Sequence, residues 1–176
     1  MRKLISILIV LAFAALATTQ AADYYTKYKG DKRQGEATED MALVYVFRPS
    51  SMAAAIKTWT FADDQFIGVS KSKAYYYALV PPGNRTFWSK AENTSGVEIE
   101  VEAGKTYYFK TAIRPGFGKA RVKMTQIDEA EANKYFGKCS YCEPTEEGRQ
   151  RAIEIAANRL DRAEKSAEKK KEKGSN

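Results

Sequence analysis

Apolar and polar residues follow three successive patterns along this chain of 176 residues. The first is a positive start, Met1-Arg2-Lys3, followed by residues 4–17, apolar apart from Ser6 and free of charge, Pro and Gly. Thr19-Gln20-Ala21 then places small residues at the two positions a signal peptidase reads, completing the three-part pattern of a secretory signal peptide over residues 1–21. The apolar run is 14 residues long, short of the roughly 20 a spanning helix needs. A cleaved address is therefore expected rather than an uncleaved anchor, with no stable membrane span afterwards. Residues 22–40 are polar and charged, with Gly30, Gly35 and only Tyr24, Tyr25 and Tyr28 as aromatics. They read as a flexible leader.

The second pattern covers residues 41–127: short β-rich runs between turn residues. Leu43-Val44-Tyr45-Val46-Phe47 is continuously apolar, as in a central strand buried on both faces, and Arg48-Pro49-Ser50 closes it. Residues 56–61 and 66–69 flank a hairpin turn at Asp63-Asp64-Gln65. Residues 74–80 end at Pro81-Pro82-Gly83-Asn84, the strongest break in the domain. Residues 85–91 precede a turn at Asn93-Thr94-Ser95-Gly96. In residues 97–102, Val97, Ile99 and Val101 alternate with Glu98, Glu100 and Glu102, so the apolar three face inward. Strands over 106–113 and 120–127 complete the set. Strands at such spacing with short connections predict a small β-sandwich whose neighbours mostly pair antiparallel.

The third pattern is helical. Asp128, with Glu131 three residues on, predicts the start of a short helix ending at Gly137. A loop carrying Cys139 and Cys142 follows, so residues 128–145 form a helix-and-loop unit. Pro144-Thr145-Glu146-Glu147 opens a last helix, with Thr145 as cap, across the charged tail of residues 146–176. Ile153, Leu160 and Ala167 lie seven apart, with Ala156 and Ala163 between them, a weak seam. Asp161 with Lys165 and Glu168 with Lys171 add ion pairs at helical spacing.

Composition narrows the chemistry. The chain contains no histidine, so a Ser-His-Asp or Cys-His arrangement cannot be assembled and imidazole-based metal sites are excluded. Loss of Arg2 and Lys3 with the leading segment lowers the net charge from +7 to +5. That excess suits anionic envelope polymers or lipid head groups, and nucleic acid equally; export selects the former. Glu98, Glu100 and Glu102 share a strand face as solvation and edge protection rather than a catalytic set. No catalytic residue, cofactor or metal is assigned.

Three groups remain as candidate sites. Cys139 and Cys142, two residues apart in an oxidising compartment, are expected to form a short structural disulfide. The alternative is a redox pair activated by the following helix N-terminus. Trp59, Tyr76, Trp88 and Tyr108 are candidates for an outward aromatic platform that stacks sugar rings, although large aromatics at alternate positions are normally core. Lys165, Lys169, Lys170, Lys171 and Lys173 form a basic end of the tail, either solvated or docked on an anionic polymer.

Four strings carry a family resemblance: Ala42-Leu43-Val44-Tyr45-Val46-Phe47-Arg48-Pro49-Ser50, Gln65-Phe66-Ile67-Gly68, Val80-Pro81-Pro82-Gly83-Asn84-Arg85 and Val101-Glu102-Ala103-Gly104-Lys105-Thr106-Tyr107-Tyr108. Over residues 40–130 the chain resembles a bacterial domain-of-unknown-function family, number 2846. The resemblance implies an exported or lipid-anchored protein and implies no enzyme activity. No cysteine follows the apolar start, unlike in lipid-anchored members. The expectation is thus a non-catalytic periplasmic or secreted protein whose β-sandwich binds or organises an envelope protein or anionic polymer. The alternative is a periplasmic thiol–disulfide protein using Cys139 and Cys142.

Overall fold

A computed structural model describes residues 23–30, 32–115 and 120–174. The signal-peptide expectation at residues 1–21 lies outside them. The strands are β1 (Tyr25–Tyr28), β2 (Ala42–Arg48), β3 (Thr58–Ala62), β4 (Gln65–Ser70), β5 (Ala74–Val80), β6 (Gly83–Lys90), β7 (Thr94–Val101), β8 (Thr106–Pro115), β9 (Ala120–Ile127) and β10 (Ser140–Pro144); the helices are α1 (Glu129–Phe136) and α2 (Glu146–Gly174).

Two sheets pack face to face. The larger has the order β1-β10-β5-β2-β8-β9 and the smaller β4-β3-β6-β7. The chain shuttles between them: after Pro81-Pro82, β6 joins the sheet opposite β5, because proline offers no N–H with which to continue a ladder. The smaller sheet is wholly antiparallel. The larger is mixed, since β2 runs parallel to β8 and β5 parallel to β10. The other six pairings are antiparallel, so neighbours mostly pair antiparallel as expected, and the two parallel pairings are what the sequence did not indicate. Strands separated by an excursion through the other sheet return in the same direction, which short local connections do not reveal.

Three apolar layers hold the two sheets and the two helices together. Between the sheets, Val44, Val46, Phe87, Phe109 and Met124 are buried together. A polar chain runs within this core, from the Tyr76 hydroxyl to Thr60 Oγ1 at 2.8 Å and on to Ser89 Oγ at 2.7 Å. Outside the larger sheet, Leu43, Tyr45, Phe47 and Tyr75 pack under α1 and its flanks. Outside the smaller sheet, Trp59, Phe61, Val69 and Trp88 pack under Ala152, with Ile155 and Ala156 against them. All seven residues of β2 are buried, as its unbroken apolar run requires. The β7 alternation holds too, its glutamates exposed and Val97, Ile99 and Val101 turned inward.

The leader is not a loose segment. β1 pairs antiparallel with β10, and Tyr28 stacks on Tyr141 with ring centroids 5.9 Å apart. Lys27 Nζ donates to Ser72 O at 2.8 Å, and Gly35 N donates to the Tyr45 hydroxyl at 2.8 Å. Edge pairing and half-buried tyrosines hold a stretch whose sequence lacks apolar alternation. Most of the cysteine loop is likewise strand β10, with Cys139 just before it. The short helix forms as its cap predicts: Asp128 Oδ1 accepts from Glu131 N at 2.7 Å.

The seam of the last helix turns out differently. Thr145 caps it, accepting from Gly148 N at 3.2 Å. Yet Ile153 is 62% and Leu160 51% exposed, while Ala152 is 1% exposed. The buried face uses Gly148, Ala152, Ile155 and Ala156, because close approach to the sheet favours small side chains over the widest apolar ones. Gly148 shows how close: a Cβ there would lie 2.1 Å from Tyr24 O.

Candidate anion-binding cleft

The cysteines do not form the expected disulfide; both are free and buried. Along an extended chain, residues three apart lie about 10 Å from each other, beyond the roughly 4.4–6.8 Å between Cα atoms that a disulfide spans. Cys139 joins Tyr75 and Tyr141 under α1. Burial pushes Cys139 up to about 11 and Cys142 up to about 12. For Cys139 the charges of Lys27, Lys32, Lys138 and Lys73 pull the other way without prevailing. Cys139 follows a helix C-terminus, its N–H donating to Tyr135 O at 2.9 Å. That end of the dipole repels a thiolate. These properties are the reverse of those an activated redox pair needs.

The aromatic platform is also corrected. Trp59 is 7%, Tyr76 2% and Trp88 2% exposed. Trp59 and Trp88 do leave the outer face of the smaller sheet, but α2 and Tyr24 cover them. Tyr76 faces the interior between the sheets. Tyr108 is half-buried and stacks on Tyr45 at 5.7 Å. Of the tail lysines, Lys165 is exposed and pairs with Asp161 at 2.8 Å. Lys169 is exposed. Lys170, Lys171 and Lys173 lie on α2 with side chains outside the description.

What the structure adds is a cleft where α2 diverges from the smaller sheet. It has a volume of about 270 Å³ and is lined by Trp88 and Lys90 of β6, Thr94 of β7, and Arg151, Ile155, Asn158, Arg159 and Arg162 of α2. Four cations line it and no carboxylate does. Its inner wall is a three-layer stack. Trp88 lies on Phe61 with centroids 4.1 Å apart and planes 9° from parallel, and the Arg159 guanidinium sits 4.2 Å from the Trp88 ring. Such a cation–π contact holds a guanidinium without neutralising it. The indole is itself fixed, since Trp88 Nε1 donates to Asp63 O at 2.8 Å. Asp63 can serve this corner because it adopts a positive φ of 49° in the β3–β4 turn. Its carboxylate also accepts from Thr86 N at 2.9 Å and pairs with Arg85 at 3.1 Å.

The charges differ in how far they are already answered. Arg151 pairs with Glu154 outside the lining set. Among the described residues, Lys90, Arg159 and Arg162 have no carboxylate partner. Burial holds the Lys90 ammonium below the usual lysine range, and the nearby Arg162 charge depresses it further. An anion in the cleft would relieve that repulsion. Thr94 and Asn158 add a hydroxyl and an amide, so the lining can receive a ligand bearing both anionic and hydroxyl groups.

Sequence reasoning missed this site because it sought cations where they were densest, at the end of the tail. The signal was present in spacing. Arg151, Ile155, Asn158 and Arg162 follow the four-three-four steps of one helix face. What spacing alone could not supply is Lys90, which reaches the same cleft only because β6 and α2 meet.

A second region of note lies away from the cleft. Arg48, within the Ala42–Ser50 string, is completely buried and has no carboxylate partner among the described residues. Its guanidinium donates to the backbone carbonyls of Ile56 and Ala53, the latter at 3.0 Å, and so holds down the loop after β2.

The comparisons agree with this frame. The family described as "Protein of unknown function (DUF2846)" matches residues 38–136. A protein of Haemophilus influenzae described as "Uncharacterized protein" is 27% identical over 96 residues, covering 54% of this chain and 57% of that one. This chain therefore spans little more than half of that relative's length. No solved structure matches. The match takes in β2 to α1 and leaves out β1, β10 and α2, so the helix that supplies three arginines to the cleft lies beyond it. With more than half its length matched, from the Arg48 string through the short helix, the chain belongs to the DUF2846 family.

Proposed function

We propose that this is an exported, non-catalytic envelope protein that binds an anionic ligand in the cleft between α2 and the smaller sheet. The carrying observation is the set of cations around that cleft, Lys90, Arg159 and Arg162, lined by no carboxylate and anchored on the Phe61–Trp88 stack. Export is supported by the charged start, short apolar run and small-residue cleavage pattern of residues 1–21. Among the described residues no helix is long and apolar enough to cross a membrane. The periplasm or the exterior is the location this reading assigns, with Ala22 as the first residue of the mature chain.

The test is a titration of the mature protein with inorganic sulfate, read by tryptophan emission in a Trp59→Phe background so that Trp88 alone reports. Saturable quenching is expected, and it should vanish in Arg159→Gln/Arg162→Gln while the circular dichroism spectrum is kept. A flat titration of the parent would overturn the cleft. Recovery of intact Met1 protein from cytosol would overturn the export assignment.

A further inference from the structure

Charge on α2 is sorted by side. At about 100° per residue, Arg151, Arg162 and Lys169 fall within about 20° of one line along the helix, since 11 and 18 residues complete nearly whole numbers of turns. Glu154, Asp161, Glu164 and Glu168 fall about 60–140° round, all on the same flank. Arg159 lies on the opposite flank, over Trp88. Arg162 and Lys169 are exposed, and Arg162 already lines the cleft. A row of cations therefore leaves the cleft and continues along the helix for about 27 Å from Arg151 to Lys169.

We propose that this row is the track of an anionic polysaccharide, with the cleft as its inner end. The inference rests on the cleft's being an anion site. Two features select the polymer. The cations of the row are about 10–16 Å apart along the axis, whereas duplex nucleic acid carries one charge per about 1.7 Å. Sparse cations match anions borne on separated sugar units. The Thr94 hydroxyl and Asn158 amide stand beside those cations and suit the hydroxyl groups of sugars. Thr94 is exposed at the start of β7, the edge strand of the smaller sheet, so the cleft is open where it meets this edge.

The experiment uses the full mature chain and hyaluronan oligosaccharides of two, four, six and eight sugars, which carry one carboxylate per pair of sugars. Binding is followed by Trp88 emission in the Trp59→Phe background and by calorimetry at several salt concentrations. Affinity should tighten by about tenfold or more from the shortest to the longest, because each added anion meets its cation at the effective concentration set by the chain. Lys169→Gln should weaken the octasaccharide and lower its salt slope by about one, leaving the disaccharide unchanged. Equal affinity at all lengths, or no effect of Lys169→Gln, with the disaccharide still bound and lost in Arg159→Gln/Arg162→Gln, would overturn the track and leave the cleft standing. No binding of any oligosaccharide or of sulfate would overturn the cleft itself. Tighter binding of a duplex DNA of equal length than of the octasaccharide would overturn the polysaccharide assignment.

Discussion

Arg48 and the two cysteines show how burial sets the properties of single residues here. Arg48 donates its hydrogen bonds to main-chain oxygens, and its Nε and the nearby Ser70 Oγ have no partner among the described residues. Losing a charged donor leaves each buried carbonyl exposed to a penalty of about 1–3 kcal/mol. Arg48→Met should thus destabilise the fold by at least about 2 kcal/mol in urea unfolding; an unchanged midpoint would contradict the anchoring role. For the thiols, burial raises both from the ordinary 9.0, to about 11 and about 12. Between those values the folded chain keeps protons that the unfolded chain has released, so the unfolded state binds fewer and stability falls as pH rises. The contribution is complete below about pH 9 and is lost towards pH 12. The urea midpoint of the native chain should therefore drop more steeply than that of Cys139→Ala/Cys142→Ala between about pH 8 and pH 10.5. Ellman's reagent should find two thiols after denaturation without reductant and essentially none before it. Finding none in either state would restore the disulfide.

At the scale of elements, periodicity was legible wherever one face met water. Ala74–Val80 and Ala120–Ile127 were delimited to the residue by their flanking turns, and β7 by its three glutamates. Two kinds of element escaped. β1 and β10 are edge-side strands stabilised by each other and by stacked tyrosines, and neither carries an apolar alternation of its own. For α2, the seam followed the bulkiest residues, Ile153 and Leu160, whereas docking chose the smallest, Gly148 and Ala152. That choice has a measurable consequence. On an exposed helix Gly→Ala stabilises by about 0.8–1.0 kcal/mol. Gly148→Ala should do the opposite, costing about 1–3 kcal/mol, since the new methyl meets the Tyr24 carbonyl. A raised melting temperature would mean that the helix does not rest against Tyr24.

For the molecule as a whole, the β-sandwich and its two following helices were legible, because strand count and turn spacing depend on local chemistry. The site was not. It arises where a helix near the end of the chain crosses strands laid down about 70 residues earlier, as with Arg159 on Trp88 and Arg162 beside Lys90. No spacing rule reports such a meeting; only the four-layer arrangement does, with α2 closing the smaller sheet as α1 closes the larger. The family frame supplies the strands that carry Phe61, Trp88 and Lys90, and α2 adds the other three cations of the cleft.

The most direct measurement is a proton–nitrogen correlation spectrum of the mature protein titrated with inorganic sulfate. The indole N–H of Trp88, the backbone amides of Lys90 and Thr94, and the side-chain Nε–H groups of Arg159 and Arg162 should shift together along one saturable curve, while the Trp59 indole stays still. Shifts confined to the lysines near the end of α2, or none at all, would contradict the cleft.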